Sequence, residues 1–350
     1  MKNLYAVKVQ NGVFVPRGII SPYDLVYDEN LRLVRESELT RGKENCKNVS
    51  NAPPILEILP EHNRSSKSLV FLGRFEEWHY GAWLTEGLAR FWYLFDVRVS
   101  DVLVPASRTF GARMRRYKNE FLKGRVMHWK HALKAFAISR KQLIYFHRPT
   151  QIKEIIVPQC SMHNCGVIFP QHREVTRAIA LHVLGKNQPA QDMRPVYLSR
   201  TRLRGGGRST QGEMPIETFC LQNGFRVIHP ESMTLSDQIE LFNSHDAFVG
   251  FAGSAFHSLL FRNNNRPAIC LYLYDGRNHT NLDLIDALMG NYSQYVPCCH
   301  NSDGKKTYEI DSAVAIDAIG AWQRSLQNKT ANRVEGLSSN NPVHLVNPVQ

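Results

Sequence analysis

The sequence predicts an α/β fold, a parallel sheet with helices on both faces, and three observations predict it. Between residues 195 and 273, short apolar runs of strand length alternate with segments of helical period. Strands that alternate with helices in this way pack as a parallel sheet. Two of the runs close on a glycine, Gly73 and Gly250, the residue that lets a chain turn sharply at a sheet edge. The composition is that of a globular chain, 43% hydrophobic and 21% charged over 350 residues, so a core can form without disulfide or metal.

The elements follow in order. Residues 1–66 carry Pro16, Pro22, Pro53, Pro54 and Pro60 and read as short strands and loops. Residues 68–73 read as a buried strand. Over 82–95 the period changes: Leu84, Leu88, Phe91, Trp92 and Phe95 recur at helical spacing, which predicts a helix with one buried face. Strands follow at 102–105 and 155–157, then a helix over 173–184 stopped by Gly185. A second cycle begins with a strand at 195–199. It continues with a helix over 213–222 closed by Gly224, a strand at 225–228, and a helix over 235–242 capped by Thr234 or Ser236. A strand at 247–250, a helix opening at Ser254 and a strand at 267–273 complete it. A last helix is expected over 313–326 and a flexible tail over 327–350. The expected division is a first domain over 1–186 and a second over 187–310.

Charge narrows the partner class. Lys and Arg number 43 against 31 Asp and Glu, a formal net charge of +12. That surplus suits nucleic acid, phosphorylated small molecules or an acidic membrane surface, and also simple solubility. One basic group runs from Arg200 to Arg208, with four arginines and three consecutive glycines; another gathers Arg108, Arg113, Arg115, Arg116 and Lys118. No helix-turn-helix, zinc-finger or RNA-platform pattern accompanies them, so nucleic acid is not the expected partner. No apolar run reaches spanning length, and the first twenty residues lack the core of an export signal. Seven scattered cysteines fit reduced thiols and a cytoplasmic location. Cys160, His163 and Cys165, His128 and His131, and Cys298, Cys299 and His300 lack the spacing of a zinc site, so no metal is expected.

Three stretches carry candidate chemistry. At 249–257 a strand ends in Gly250 and a helix begins at Gly253 and Ser254. Exposed amides at a helix start suit a phosphate; the same pattern also serves as an ordinary strand-to-helix turn. At 197–213 a strand delivers Arg200 to the sheet edge where open α/β sheets bind ligands. A guanidinium fork there can clamp a diphosphate, whereas Arg202 and Arg204 read as solvated. At 78–90, Ala82, Glu86 and Arg90 share one helix face opposite Leu84 and Leu88, with His79 a turn earlier. Glu86 and Arg90 make a surface ion pair in one reading; Glu86 and His79 do general-base work in the other.

Taken in order, these stretches resemble glycosyltransferase family 61, the DUF563 family of capsule and lipopolysaccharide loci, from about residue 70 to about residue 275. The matching residues are Trp83, Glu86, Leu88 and Arg90; Ser199, Arg200, Arg208 and Glu213; Gly224, Phe225, Pro230, Glu231 and Gln238; and the turn from Gly250 to Phe256. Two family histidines are Ala82 and Ala252 here, with His79 and His257 nearby. No acid clearly matches the one that often ends the family's last strand.

The resemblance implies a GT-B fold, two Rossmann-like domains with a cleft between them. The first would present the acceptor and the second would hold the donor, with the last helix crossing back. It implies an inverting, metal-independent transferase in surface polysaccharide synthesis. A UDP-linked sugar would be co-substrate, with no other cofactor, and the acceptor would be a glycan or a lipid-linked glycan. Contact with an anionic inner-membrane face follows from such an acceptor. Glu86, then His79, would be the base. Arg200, Arg208, Glu213, Glu231, Gly250, Gly253, Ser254, Ala255 and His257 would form the donor site. The two alanines motivate an alternative, a degenerate transferase-like protein that binds a glycan or a partner without turnover.

Overall fold

The computed structural model describes residues 4–16, 24–38, 63–73, 79–104, 120–185, 189–203, 209–276, 280–300 and 307–338. Its first sheet has six strands: β1 (Ala6–Val15), β2 (Leu25–Tyr27), β3 (Asn63–Phe71), β4 (Val102–Leu103), β5 (Leu143–Ile144) and β6 (Thr150–Pro158). They lie in the order β2-β1-β6-β3-β4-β5. β3, β4, β5 and β6 are mutually parallel, while β1 and β2 are antiparallel additions at one edge. Leu69, Phe71, Leu103, Ile152, Ile155 and Val157 are buried together on this sheet.

A short hairpin, β7 (Met162–His163) and β8 (Val167–Ile168), leads to the second half. There β9 (Val196–Leu198), β10 (Ser209–Gln211), β11 (Arg226–Ile228), β12 (Ala247–Phe251), β13 (Ile269–Tyr274), β14 (Tyr292–Pro297), β15 (Cys299–His300) and β16 (Thr307–Ile310) follow. Five of them form an all-parallel sheet in the order β11-β9-β12-β13-β14. The helices are α1 (Glu120–Ala135), α2 (Pro170–Leu184), α3 (Met214–Gln222), α4 (Leu235–Ser244), α5 (Thr280–Met289) and α6 (Ser312–Ser338).

Strand periodicity explains how helices cover both faces. Leu198, Phe248, Cys270 and Tyr272 point one way, onto Leu241 and Phe242 of α4 and Leu282 and Ile285 of α5. Tyr197, Val249, Leu271 and Leu273 point the other way, onto Ile216 and Cys220 of α3 and Ile319 and Trp322 of α6. Successive strand residues face opposite sides, so a sheet buried on both reads as a continuous apolar run. In sequence order the strands lie second, first, third, fourth, fifth. The order therefore reverses between β9 and β12, and a crevice opens above their C-terminal ends. Thr234 caps α4 through a capping box with Asp237, and Ser236 lies inside the helix.

Three expectations change. The helix expected over 82–95 is one α-turn (Tyr80–Ala82), a π-turn (Trp83–Gly87) and a 3-10 turn (Phe91–Phe95). The amide of Leu88 reaches back to the Trp83 carbonyl at 3.1 Å. The Leu84 carbonyl instead accepts from His172 Nε2 on α2 at 3.0 Å. A tertiary donor thus competes with the helical ladder, and a π-turn is how a helix absorbs such competition. Secondly, α6 runs on to Ser338, past the expected end at 326, so residues 327–338 of the expected tail are helical; residues 339–350 lie outside the described residues. Thirdly, α1, α5, β14, β15 and β16 have no counterpart among the expected elements.

Candidate active site

β9 carries Arg200 to the reversal point, and two buried carboxylates fix its end. Glu213 Oε1 accepts from the Arg200 amide at 2.7 Å and from the Tyr197 hydroxyl at 3.0 Å, and its Oε2 accepts from Thr210 at 2.8 Å. Glu217 Oε2 accepts from Ser199 at 2.6 Å and Thr201 at 2.5 Å. Burial opposes ionisation of Glu217, but those two hydroxyls and nearby His229 outweigh it and hold the carboxyl below its ordinary range. Glu213, expected to touch the donor, is 3% exposed and holds the strand end through these bonds.

β12 lies against β9 so closely that a Cβ at Gly250 would sit 2.8 Å from the Leu198 carbonyl oxygen. Only glycine fits there. After β12 the chain passes Ala252 and Gly253 into the 3-10 helix Ser254–Phe261. Arg200, Thr210, Phe251, Ala252, Tyr274 and Asp275 are among the residues that line one shallow, open cleft. Asp275 directly follows β13 and is an acid that pattern reading passed over. Its signal is the Asp275-Gly276 pair, a turn signature, with Gly276 at φ +78°.

The 80–87 segment packs against the same 3-10 helix. His79 caps its first turn, Nδ1 accepting from the Ala82 amide at 3.1 Å; the ring is exposed. The Tyr80 hydroxyl lies 2.7 Å from Ser258 Oγ. A Cβ at Gly81 would stand 2.7 Å from Ser254 Oγ and 2.9 Å from His257 Nδ1. The turn at Gly253 and the Glu86-bearing segment are therefore in direct contact.

Glu86 and Arg90 do not form the surface ion pair that a regular helix predicts. Both are buried, at 5% and 0% exposure. Arg90 Nε donates to the Pro158 carbonyl at 3.0 Å, and Nη2 donates to those of Glu36 at 2.6 Å and Glu38 at 3.2 Å. Gly73, at φ +82°, gives this side chain room, since a Cβ there would run into Nη1. The π-turn rotates Glu86 toward the β7–β8 hairpin, where Asn164 Nδ2 donates to its Oε1 at 2.9 Å. His172, fully buried on α2, accepts from Ser161 through Nδ1 at 2.9 Å and donates to Leu84 O through Nε2. The Ser161 amide donates to the Ala89 carbonyl at 2.7 Å. The backbone on both sides of Glu86 is thus anchored by one bonded pair of residues, through the His172 ring on one side and the Ser161 amide on the other. Burial pushes the His172 imidazole down to about 4, so it is neutral with its proton on Nε2.

The other expected residues fall as follows. Ser254 and Ala255 open the 3-10 helix half-buried, and His257 is buried on its inner side against Gly81. Glu231 sits in the turn after β11, its Oε1 buried and without a hydrogen-bond partner. Arg208 and the group from Arg108 to Lys118 lie outside the described residues. The structure brings Arg200, Ala252 and Asp275 together in one cleft; Gly253, Ser254 and Glu86 are not among the residues that line it. Among the described residues no three His, Cys, Asp or Glu side chains gather as metal ligands would, and no helix is long and apolar enough to cross a membrane.

A family model described as Glycosyltransferase 61 matches residues 80–269, more than half of the chain. That span opens at the turn that bears Glu86 and closes at the start of β13. A search of the curated proteins finds no match.

Proposed function

The chain belongs to the glycosyltransferase 61 family, and from that membership we propose that it transfers a sugar from a nucleotide-sugar to a glycan acceptor with inversion at the anomeric carbon. The reading rests on Arg200 and Ala252 lining one cleft above the strand-order reversal, with Gly81 of the 80–87 segment packed on Ser254 and His257 just beyond Ala252. A diphosphate in that crevice meets the Arg200 guanidinium and the amides that open the 3-10 helix. Charge that develops on the leaving group is neutralised there. The buried, unpartnered Glu231 Oε1 suits a ribose hydroxyl. Glu86 takes the proton of the acceptor hydroxyl, with His79 as second candidate.

The two sheets act as the two lobes of a GT-B transferase, and closure between them orients the partners and excludes water. The donor is UDP-linked, the reaction is metal-independent, and the product belongs to a surface polysaccharide such as capsule or lipopolysaccharide. A lipid-linked acceptor brings the basic chain to an anionic inner-membrane face.

Thermal shift of the full chain with UDP and UDP-sugars, with chelator or with Mg²⁺, tests this. Ligand at about 100 times its dissociation constant adds about 2.7 kcal/mol and raises Tm by about 4 °C in a chain of this size. Arg200→Ala removes the rise. Glu86→Gln keeps it and abolishes nucleotide release with acceptor. No rise with any nucleoside diphosphate refutes the donor site, and near-normal transfer by Glu86→Gln refutes the base. Ala82 and Ala252, small residues at the segment and in the cleft, favour one second reading, a binding protein without turnover. It predicts the thermal rise but no nucleotide release with any acceptor.

A further inference from the structure

We infer that Asn164 and Asn281 form a directional amide relay that fixes the Glu86 carboxylate and ties it to the helix following the donor cleft. The inference rests on the proposed function only in giving Glu86 a reaction to serve.

The relay begins at a backbone amide, which can only donate. Cys165 N–H donates to Asn281 Oδ1 at 2.7 Å. That contact fixes the rotation of the Asn281 amide and turns its Nδ2 toward Asn164 Oδ1, to which it donates. Asn164 Nδ2 is then the atom left to face Glu86 Oε1, at 2.9 Å. A carboxylate can only accept, so both ends of the chain demand the same polarity. Each bond supports the orientation of the next, as in other polar networks within low dielectric.

The connected positions are far apart in sequence. Glu86 lies on the π-turn under the first sheet, Asn164 in the β7–β8 turn, and Asn281 in the first turn of α5. Cys165, at φ +58°, holds the turn in the left-handed conformation that aims its amide at α5. α5 begins five residues after Asp275, which lines the Arg200 cleft. The relay is therefore a positioning device that joins the first turn of α5 to the Glu86 carboxylate.

Cys160 feels both Arg90 and Glu86, and burial pushes its thiol up; burial and then Arg90 push the His163 imidazole down. His172 on α2 is neutral. On α5, Asp283 bonds Tyr295 and Asp286 bonds Tyr272. The amide of Asn164 is the donor that responds to Asn281.

Asn281→Asp tests the polarity while keeping the shape. The carboxylate so introduced still accepts from Cys165 N–H, but its second oxygen cannot donate to Asn164. The Asn164 amide turns over and presents its oxygen to Glu86. In the full chain labelled with carboxyl-¹³C glutamate, with Glu86→Gln identifying the signal, the Glu86 carboxyl resonance at fixed pH should move as its Asn164 donor is lost. In an Asn164→Ala background the same substitution should move it by less than about a third as much, the part due to charge acting through space. An unmoved resonance, or an equal movement with and without Asn164, overturns the relay. Should Asn281→Asp fail to fold, Asn164→Ala alone decides, because loss of the donor must move the resonance. Transfer retained by Glu86→Gln would remove the catalytic role of Glu86 and leave the relay standing. A carboxyl signal indifferent to Asn281, in a chain that Glu86→Gln inactivates, would remove the relay alone.

Discussion

Acidification should loosen the Glu86 segment through one side chain, His172. Its ring is fully buried, hydrogen-bonded to Ser161 and to the Leu84 carbonyl, and pushed down to about 4 from an ordinary 6.5. A histidine depressed in the folded state binds its proton more readily in the unfolded chain. Its contribution is therefore complete above about pH 6.5 and is lost as pH falls toward 4. Each unit of difference is worth about 1.4 kcal/mol, which gives about 2 kcal/mol lost by pH 5 and about 3 kcal/mol once pH is below 4. The assay is urea denaturation at pH 7.5 and pH 5.0, on the chain and on His172→Gln. Glutamine can still donate to Leu84 but does not titrate. The histidines at 131, 163 and 245 are also depressed by burial, so both proteins should weaken in acid. The chain should lose about 2 kcal/mol more than His172→Gln. Equal losses would refute the reasoning and place the acid sensitivity elsewhere.

Two further predictions concern packing and scaffold. Gly81→Ala forces a methyl between Ser254 Oγ and His257 Nδ1, at 2.7 and 2.9 Å, and should cost about 1–3 kcal/mol by overpacking; an unchanged urea midpoint would show that the two segments are not in close contact. Glu213→Ala strands the buried Tyr197 hydroxyl and the half-buried Arg200 amide and Thr210 hydroxyl and should cost about 2–3 kcal/mol, with Glu213→Gln losing less than half as much. A Glu213→Ala chain of normal stability that no longer binds nucleotide would instead make Glu213 a ligand contact.

Much of the second sheet was legible because its central strands are continuous apolar runs. β9, β12 and β13 lie where the run lengths put them. β14 was not, since an edge strand reading Tyr292–Pro297 alternates in exposure and carries Ser293 and Gln294. α1 hides behind a basic stretch, although Trp129, Ala132 and Leu133 hold a helical buried face. In the site, the acid at position 86 and the arginine at 200 were visible as residue types at strand and helix ends. The environment of Glu86 was not. Helical periodicity places it with Arg90 on the solvent side, and the π-turn that buries it depends on His172, 86 positions away in sequence. Asn164 and Asn281 have no local signature, because a lone asparagine in a turn or a first helical turn already satisfies its own neighbourhood.

β1 and β6 pair along almost their whole length, Ala6 opposite Pro158 and Phe14 opposite Thr150. On a ribosome the leading strand must then wait for some 150 residues of nascent chain, roughly 10–30 s at ordinary elongation rates. Until β6 emerges, Arg90 also lacks the Pro158 carbonyl. The segment that bears Glu86 can reach its native environment only late in synthesis, and a pause engineered before codon 158 should lengthen the period in which a chaperone or a protease can capture it.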